Sequence, residues 1–75
     1  MTLLNILASI RPEYDFASSR DFVDEGLLDS FDIVTLVAEL DQNYRISIDG
    51  VDIIPENFRN LDTISALLQK NGVRV

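Results

Sequence analysis

Apolar residues follow a helical spacing of three and four most clearly in the middle of the chain. This pattern predicts a helix from Ser30 to about Asn43. Asp29 or Ser30 can supply its N-cap, and Asp32 adds negative charge in the first turn, where the helix dipole favours it. The stripe predicted to face inward consists of Ile33, Leu36, Val37, Leu40 and Tyr44.

Two further main helices are predicted near the ends of the chain. Thr2 can cap the first of them, whose apolar residues stop before Pro12. The last helix is predicted to begin at Asp62 or Thr63 and to close at Asn71-Gly72, since glycine favours the left-handed end of a helix.

The connections between these helices are long and carry apolar anchors of their own. Residues 11–28 are predicted to form an irregular loop that packs on the core. Residues 45–49 alternate like a strand but have no partner strand, so we expect an extended connection with its isoleucines facing inward. Pro55 suits the first position of a short helix that runs through Phe58. The anchors of the long loop are Tyr14, Phe16, Phe22, Val23, Leu27 and Leu28.

The predicted fold class is therefore all-α. We expect a small bundle of three main helices plus one short helix, with a long loop between helices 1 and 2. Residues 1–75 form a single domain, because a chain of 75 residues buries only one small core. Disulfides cannot reinforce that core, since the chain has no Cys.

The chain also lacks His, and the two absences together exclude much chemistry. Neither a thiol nucleophile, nor a Ser-His pair, nor an imidazole base is possible. The usual zinc, haem and iron–sulfur ligands are missing as well. We therefore expect a protein that is not an enzyme and that holds no metal.

Two acidic patterns that can indicate metal or catalytic sites are rejected. Asp49-Gly50 followed by Glu56 is similar to part of a calcium-binding EF-hand loop, but Arg45 would occupy the first ligand position. The second pattern lies in the long loop and is interpreted as a solvated face rather than as catalytic carboxylates. It comprises Asp21, Asp24, Glu25 and Asp29.

The charge balance restricts the partners of the protein. Thirteen acidic and six basic residues give a net charge of −7. Such a chain repels nucleic acid and anionic membranes, and it attracts partner proteins with Lys and Arg patches. The alternative is that the acidity only keeps a small protein soluble. The opening segment lacks a basic leader and a long apolar run, so we expect a cytoplasmic monomer without a membrane span.

Ser30 stands at the predicted start of the second helix, next to the long loop. Backbone N–H donors and the helix dipole make such a position a ready site for a phosphate group. No residue type in the chain can activate the hydroxyl, so a separate enzyme would have to modify it. Taken alone, an Asp-Ser pair before a helix is most simply a cap.

The whole chain, however, resembles the acyl carrier protein family from Leu3 to Asn71. The stretch Gly26-Leu27-Leu28-Asp29-Ser30-Phe31 is similar to the family's attachment site, in which an Asp-Ser pair opens the second helix. Residues 39–48 resemble the end of that helix and its apolar exit. Residues 53–71 resemble the family's short third helix and fourth helix, with Ile53 to Phe58 similar to an Ile-x-Pro-Glu-Asn-Phe motif.

The resemblance implies a specific modification. Ser30 would accept 4′-phosphopantetheine from coenzyme A, transferred by a magnesium-dependent phosphopantetheinyl transferase, and the product would be a phosphodiester. Acyl groups would be carried as thioesters on the arm between enzymes that load, modify and unload them. Asp29 matches the family's aspartate beside the serine and would help to present it to the transferase.

A docking surface is predicted on the second helix beside Ser30. Four of its residues fall on a stripe adjacent to the inward one, and two aspartates border the helix with charge for basic partner patches. Thr35 and Gln42 stand where fatty-acid-type carriers often have acidic residues. The predicted docking residues are Phe31, Asp32, Val34, Thr35, Ala38 and Asp41.

Two alternatives to an acyl carrier remain open. The Gly-Leu-Leu-Asp-Ser form is similar to D-alanyl carrier proteins and specialised stand-alone carriers, so an aminoacyl or peptidyl cargo is possible. The second alternative is an acidic interaction module without catalytic activity, in which Ser30 is only a helix cap.

Overall fold

Three α-helices and three short 3₁₀ segments form the regular structure of residues 2–74, which are the residues that the computed structural model describes. This part of the chain contains no strand, so the all-α prediction is confirmed. The α-helices are α1 (Leu3–Ile10), α2 (Ser30–Tyr44) and α3 (Leu61–Lys70). The 3₁₀ segments are Phe16–Ser18, Gly50–Asp52 and Pro55–Phe58.

The beginning of each α-helix is fixed by a polar side chain that accepts a hydrogen bond from the first turn. Thr2 caps α1 as predicted, with its Oγ1 3.2 Å from the Asn5 N–H nitrogen. The predicted start of α3 was wrong by one or two residues, because Asn60 is the cap. Asn60 and Thr63 bond reciprocally, each side chain accepting from the other's backbone N–H.

The end of α2 and the segment after it are held by a single carboxylate. Arg45 adopts a left-handed conformation (φ 55°) that stops the helix. The Asp41 side chain then accepts a hydrogen bond from the Ile48 N–H at 3.0 Å. Ile48 is buried and Ile46 is half-buried, so the prediction that these isoleucines face inward is confirmed. Arg45 was predicted to belong to the extended connection, but its left-handed backbone makes it the end of the helix.

The long loop between α1 and α2 packs on the core, as predicted. Phe22 is fully buried, and its ring meets that of Phe16 edge to face at 5.1 Å between centroids. The Phe22 carbonyl accepts hydrogen bonds from the N–H groups of Leu27 and Leu28, and its own N–H donates to the Arg59 carbonyl. Tyr14 is the exception among the predicted anchors: it is 41% exposed and touches only the edge of the cluster at Phe16.

The core is formed where α1, α2 and α3 meet this loop and the Pro55–Phe58 segment. The stripe of α2 predicted to face inward does so, with Tyr44 half-buried at its end. None of the helices described is both long enough and apolar enough to cross a bilayer. The fully or nearly fully buried apolar residues are Ile6, Leu7, Phe16, Phe22, Leu28, Ile33, Leu36, Val37, Leu40, Ile48, Phe58, Ile64, Leu67 and Leu68.

Because Phe22 joins the loop to the core, we expect Phe22→Ala to lower the free energy of unfolding by about 3–5 kcal/mol. The substitution removes a buried ring and leaves a cavity in its place. Val51→Ala is the control, since that side chain is 75% exposed and its truncation should change stability by no more than about 0.5 kcal/mol. Urea unfolding followed by circular dichroism measures both values, and a loss similar to that of the control would contradict the assigned role.

Candidate functional site

Ser30 is the first residue of α2 and is exposed to solvent. Among residues 2–74, none forms a hydrogen bond with its hydroxyl group. The N-cap of the helix is Asp29 and not Ser30. The hypothesis that Ser30 serves only as a helix cap is therefore wrong, because the neighbouring aspartate performs that role.

Asp29 and Asp32 form a reciprocal capping box around the serine. Oδ1 of Asp29 accepts a hydrogen bond from the Asp32 N–H at 2.9 Å, and Oδ2 of Asp32 accepts from the Asp29 N–H at 3.1 Å. The N–H groups of Ser30 and Phe31 bond to no other residue within the described range. They are the unsatisfied donors of a helix N-terminus, which is the chemistry that binds a phosphate group.

Arg11, the residue directly after α1, forms ion pairs with both aspartates of the capping box. Its Nε lies 3.0 Å from both carboxylate oxygens of Asp32. Its Nη2 lies 3.5 Å from Oδ2 of Asp29, and its Nη1 lies 3.6 Å from the Glu13 carboxylate. Arg11 was not among the predicted site residues. No spacing signal identifies it, because the contact joins positions 21 apart across a folded loop.

The electrostatics of this cluster favour an ionised Asp32. Burial of the carboxyl acts to raise its pKa, but the hydrogen bond from the Asp29 N–H and the ion pair with Arg11 act in the opposite direction. The net pKa of Asp32 lies below its ordinary value. The hydrogen bond between Arg11 and Asp32 also raises the pKa of Arg11, so the charged forms of both partners are favoured. A buried charge is thus retained because it is paired and hydrogen-bonded.

This geometry corrects the role predicted for Asp32. Only 8% of the residue is exposed, and its carboxylate is bonded to Arg11 and to the Asp29 N–H. It was expected to offer charge at the border of a docking surface, but its oxygens face the protein instead. Asp41 is only partly exposed, and one of its oxygens is engaged with the Ile48 N–H.

The four uncharged residues of the predicted docking set are all exposed. Phe31 is 82% exposed and Val34 is 63% exposed. Thr35 and Ala38 are exposed as well, and spacings of three and four residues place all four side chains on one face of α2. The structure therefore presents Ser30 together with an uncharged, largely apolar stripe, whereas carboxylate oxygens of Asp32 and Asp41 accept hydrogen bonds within the protein.

A small helical bundle that presents an unpartnered serine at the start of a capped helix has the design of a carrier protein. The family model for a phosphopantetheine attachment site matches residues 2–69, and the chain belongs to this family. No curated protein and no solved structure gave a match.

Members of the family carry a covalently attached 4′-phosphopantetheine group. The site described above fits such a group, because an exposed hydroxyl stands beside two unpaired backbone donors at a helix N-terminus. When bound, the arm supplies a thiol, which the chain cannot provide since it contains no Cys. The protein is thus a phosphopantetheine carrier, and carrier domains of this kind are typically non-catalytic.

Because the pKa of Asp32 is lowered in the folded state, we expect it to contribute a pH-dependent stability. The contribution is present above the unfolded-state pKa of about 3.9 and is lost as the pH falls further, through the lower folded-state value. Asp21 acts in the same direction, since the backbone N–H of Asp24 and the Arg59 side chain lower its pKa. Urea unfolding between neutral and acidic pH measures the effect.

Asp32→Asn and Arg11→Gln are the variants that test this assignment. Each removes one member of the ion pair, so each should be less stable than the parent at neutral pH. For Asp32→Asn the expected loss is about 1.5–3 kcal/mol, the range for a hydrogen bond to a charged group. Each variant should also lose less stability on acidification than the parent. An unchanged acid dependence in both variants would contradict the role of the ion pair.

Proposed function

We propose that Ser30 is the attachment site of the 4′-phosphopantetheine arm, and that the protein holds acyl groups on it as thioesters and presents them to partner enzymes. The observation that carries this proposal is the serine hydroxyl itself. It is exposed, has no hydrogen-bond partner in the described range, and lies at the N-terminus of a helix that another residue caps. The family match supports the same conclusion from the sequence.

The attachment reaction joins Ser30 Oγ to the β-phosphorus of coenzyme A. The bond between that phosphorus and the bridging oxygen of the pyrophosphate breaks, and adenosine 3′,5′-bisphosphate leaves. A base of the transferase takes the hydroxyl proton, since the chain has no His and no described side chain bonds to Ser30. The protein contributes position: the capping box fixes the first turn, and Asp29, with 58% of its side chain exposed, presents the serine to the transferase.

The partners in this proposal are a phosphopantetheinyl transferase and the enzymes that load and unload the arm. These enzymes dock on an exposed surface of α2 that begins next to the attachment site. The surface consists of Phe31, Val34, Thr35 and Ala38. We propose that the protein is a monomer. We also propose that it acts in the cytoplasm, where its coenzyme A donor is available.

An aminoacyl cargo is the second candidate for the same site. The sequence that leads into Ser30 is Gly26-Leu27-Leu28-Asp29, a form similar to that of D-alanyl carrier proteins. Gly26 has a positive φ of 77°, and Leu28 is buried immediately before the cap, so this form sets the backbone that enters α2. Incubating the modified protein with aminoacyl-adenylating and acyl-adenylating enzymes would separate the two cargo classes.

The decisive test is intact-mass spectrometry after incubation with coenzyme A, magnesium and a broad-specificity phosphopantetheinyl transferase. The parent should gain the mass of one phosphopantetheine group, and Ser30→Ala should gain none. Ser47→Ala is the matched control, since Ser47 is an exposed serine outside α2 and its loss should leave the adduct unchanged.

The Ser30→Ala variant should also keep its stability to within about 0.5 kcal/mol, because it removes an exposed hydroxyl and leaves the Asp29 cap in place. Urea unfolding checks that the variant is folded. Failure of several transferases to modify a folded parent, or modification of Ser30→Ala, would overturn the assignment.

A further inference from the structure

Arg11 contacts both aspartates of the capping box with a single guanidinium group. Its Nε lies 3.0 Å from both carboxylate oxygens of Asp32, and its Nη2 lies 3.5 Å from Oδ2 of Asp29. A guanidinium group is planar, and its donors have fixed positions relative to one another. Contact with two carboxylates therefore restricts how those carboxylates lie relative to each other.

The same two aspartates set the backbone of Ser30. Asp29 directly precedes the serine, and Asp32 follows it by two residues. Their reciprocal hydrogen bonds, at 2.9 and 3.1 Å, close a ring that contains the backbone of Ser30 and Phe31. The serine hydroxyl bonds to no residue of the described range. Its position is therefore determined by the backbone that carries it and not by a contact of its own.

Asp32 depends on Arg11 more than Asp29 does. Only 8% of Asp32 is exposed, whereas 58% of the Asp29 side chain is exposed. A carboxylate that is largely withdrawn from water stays ionised only when it is paired and hydrogen-bonded. Without Arg11, Asp32 would have to take up a proton or turn toward solvent. The first change weakens the hydrogen bond that it accepts from the Asp29 N–H, and the second breaks it.

We propose that Arg11 is a positioning residue for the modification of Ser30, because it holds the capping box in the arrangement that aligns the serine Oγ with the phosphorus it attacks. This inference rests on the proposed function, since it concerns the rate at which Ser30 is modified. Phosphoryl transfer requires the attacking and leaving oxygens to be roughly in line. Arg11 acts on this alignment through Asp32 and Asp29 and not by contact with coenzyme A.

The first test measures single-turnover rates of phosphopantetheine attachment, so that product release does not mask the transfer step. A broad-specificity transferase is varied in excess over the protein, with coenzyme A and magnesium saturating. Arg11→Gln should lower the maximal rate on the order of 10- to 100-fold, the scale for a displaced reacting group. The half-saturating transferase concentration should change little, because the exposed surface of α2 beyond its first turn is unaltered.

Lys70→Gln is the matched control for this test. It removes the same charge and also breaks an ion pair, the 2.8 Å contact between Lys70 and Asp52 that joins α3 to the Gly50–Asp52 segment. Both kinetic constants should stay at the parent's values in this variant. Circular dichroism at the assay temperature checks that every variant is folded, and where Arg11→Gln is not, Arg11→Lys takes its place.

The second test asks whether Arg11 acts through Asp32. Asp32→Asn breaks the same contact from its other side, so the double variant with Arg11→Gln should react no more slowly than the slower single variant. Two independent effects would instead multiply. Arg11→Lys should recover part of the maximal rate, because an ammonium group can pair with Asp32 but cannot span both carboxylates.

The outcomes separate this inference from the proposed function. If the parent is modified but Arg11→Gln keeps the parent's maximal rate, or Lys70→Gln loses as much, the inference is overturned and Ser30 remains the attachment site. Losses that multiply in the double variant overturn it as well. If no transferase modifies the folded parent, the proposed function fails and the inference fails with it. A lower maximal rate in Arg11→Gln that Asp32→Asn shares and the double variant does not increase supports it.

Discussion

The ion pair between Arg11 and Asp32 is the interaction on which the geometry of the functional region depends. It joins the end of α1 to the first turn of α2, and Asp29 of the same capping box lies within reach of the same guanidinium group. The loop between the two helices is therefore closed at its base by side chains on either side of it. Closing a loop of this length opposes chain entropy. The charged contact offsets part of that entropy and orients the helix start at the same time.

A second set of contacts, made by Arg59, keeps the middle of the loop in place. Arg59 donates to the Asp21 carboxylate at 2.8 Å, and its carbonyl accepts from the N–H of Phe22, whose ring is buried in the core. The loop is thus tied both to its own ends and to the residues that precede α3. Ser30 follows directly after this segment and lies on a defined backbone. In a carrier protein, the attached arm can then move while the backbone to which it is attached stays in place.

Much of this arrangement could be predicted from the sequence, and the failures have physical causes. Apolar spacing identified α2 and its buried stripe, because burial on one side of a helix imposes that period. It could not decide between Asp29 and Ser30 as the cap, since both residue types cap helices well. It placed the start of α3 too late, because Asn60 precedes the apolar repeat. Arg11 could not be identified at all, since its partner is distant in sequence and ion pairs have no period.

Asp32 shows that the net charge of a chain does not determine which charges are exposed on its surface. In the sequence it is one of thirteen acidic residues, and its place in the first turn suggested an exposed charge beside the serine. Folding places the same carboxylate in the interior, where it is stable only because Arg11 and a backbone N–H bond to it. A charge that is already compensated inside the protein contributes little to a contact with a partner. An acidic protein can therefore present an exposed, uncharged helix face without any change in its composition.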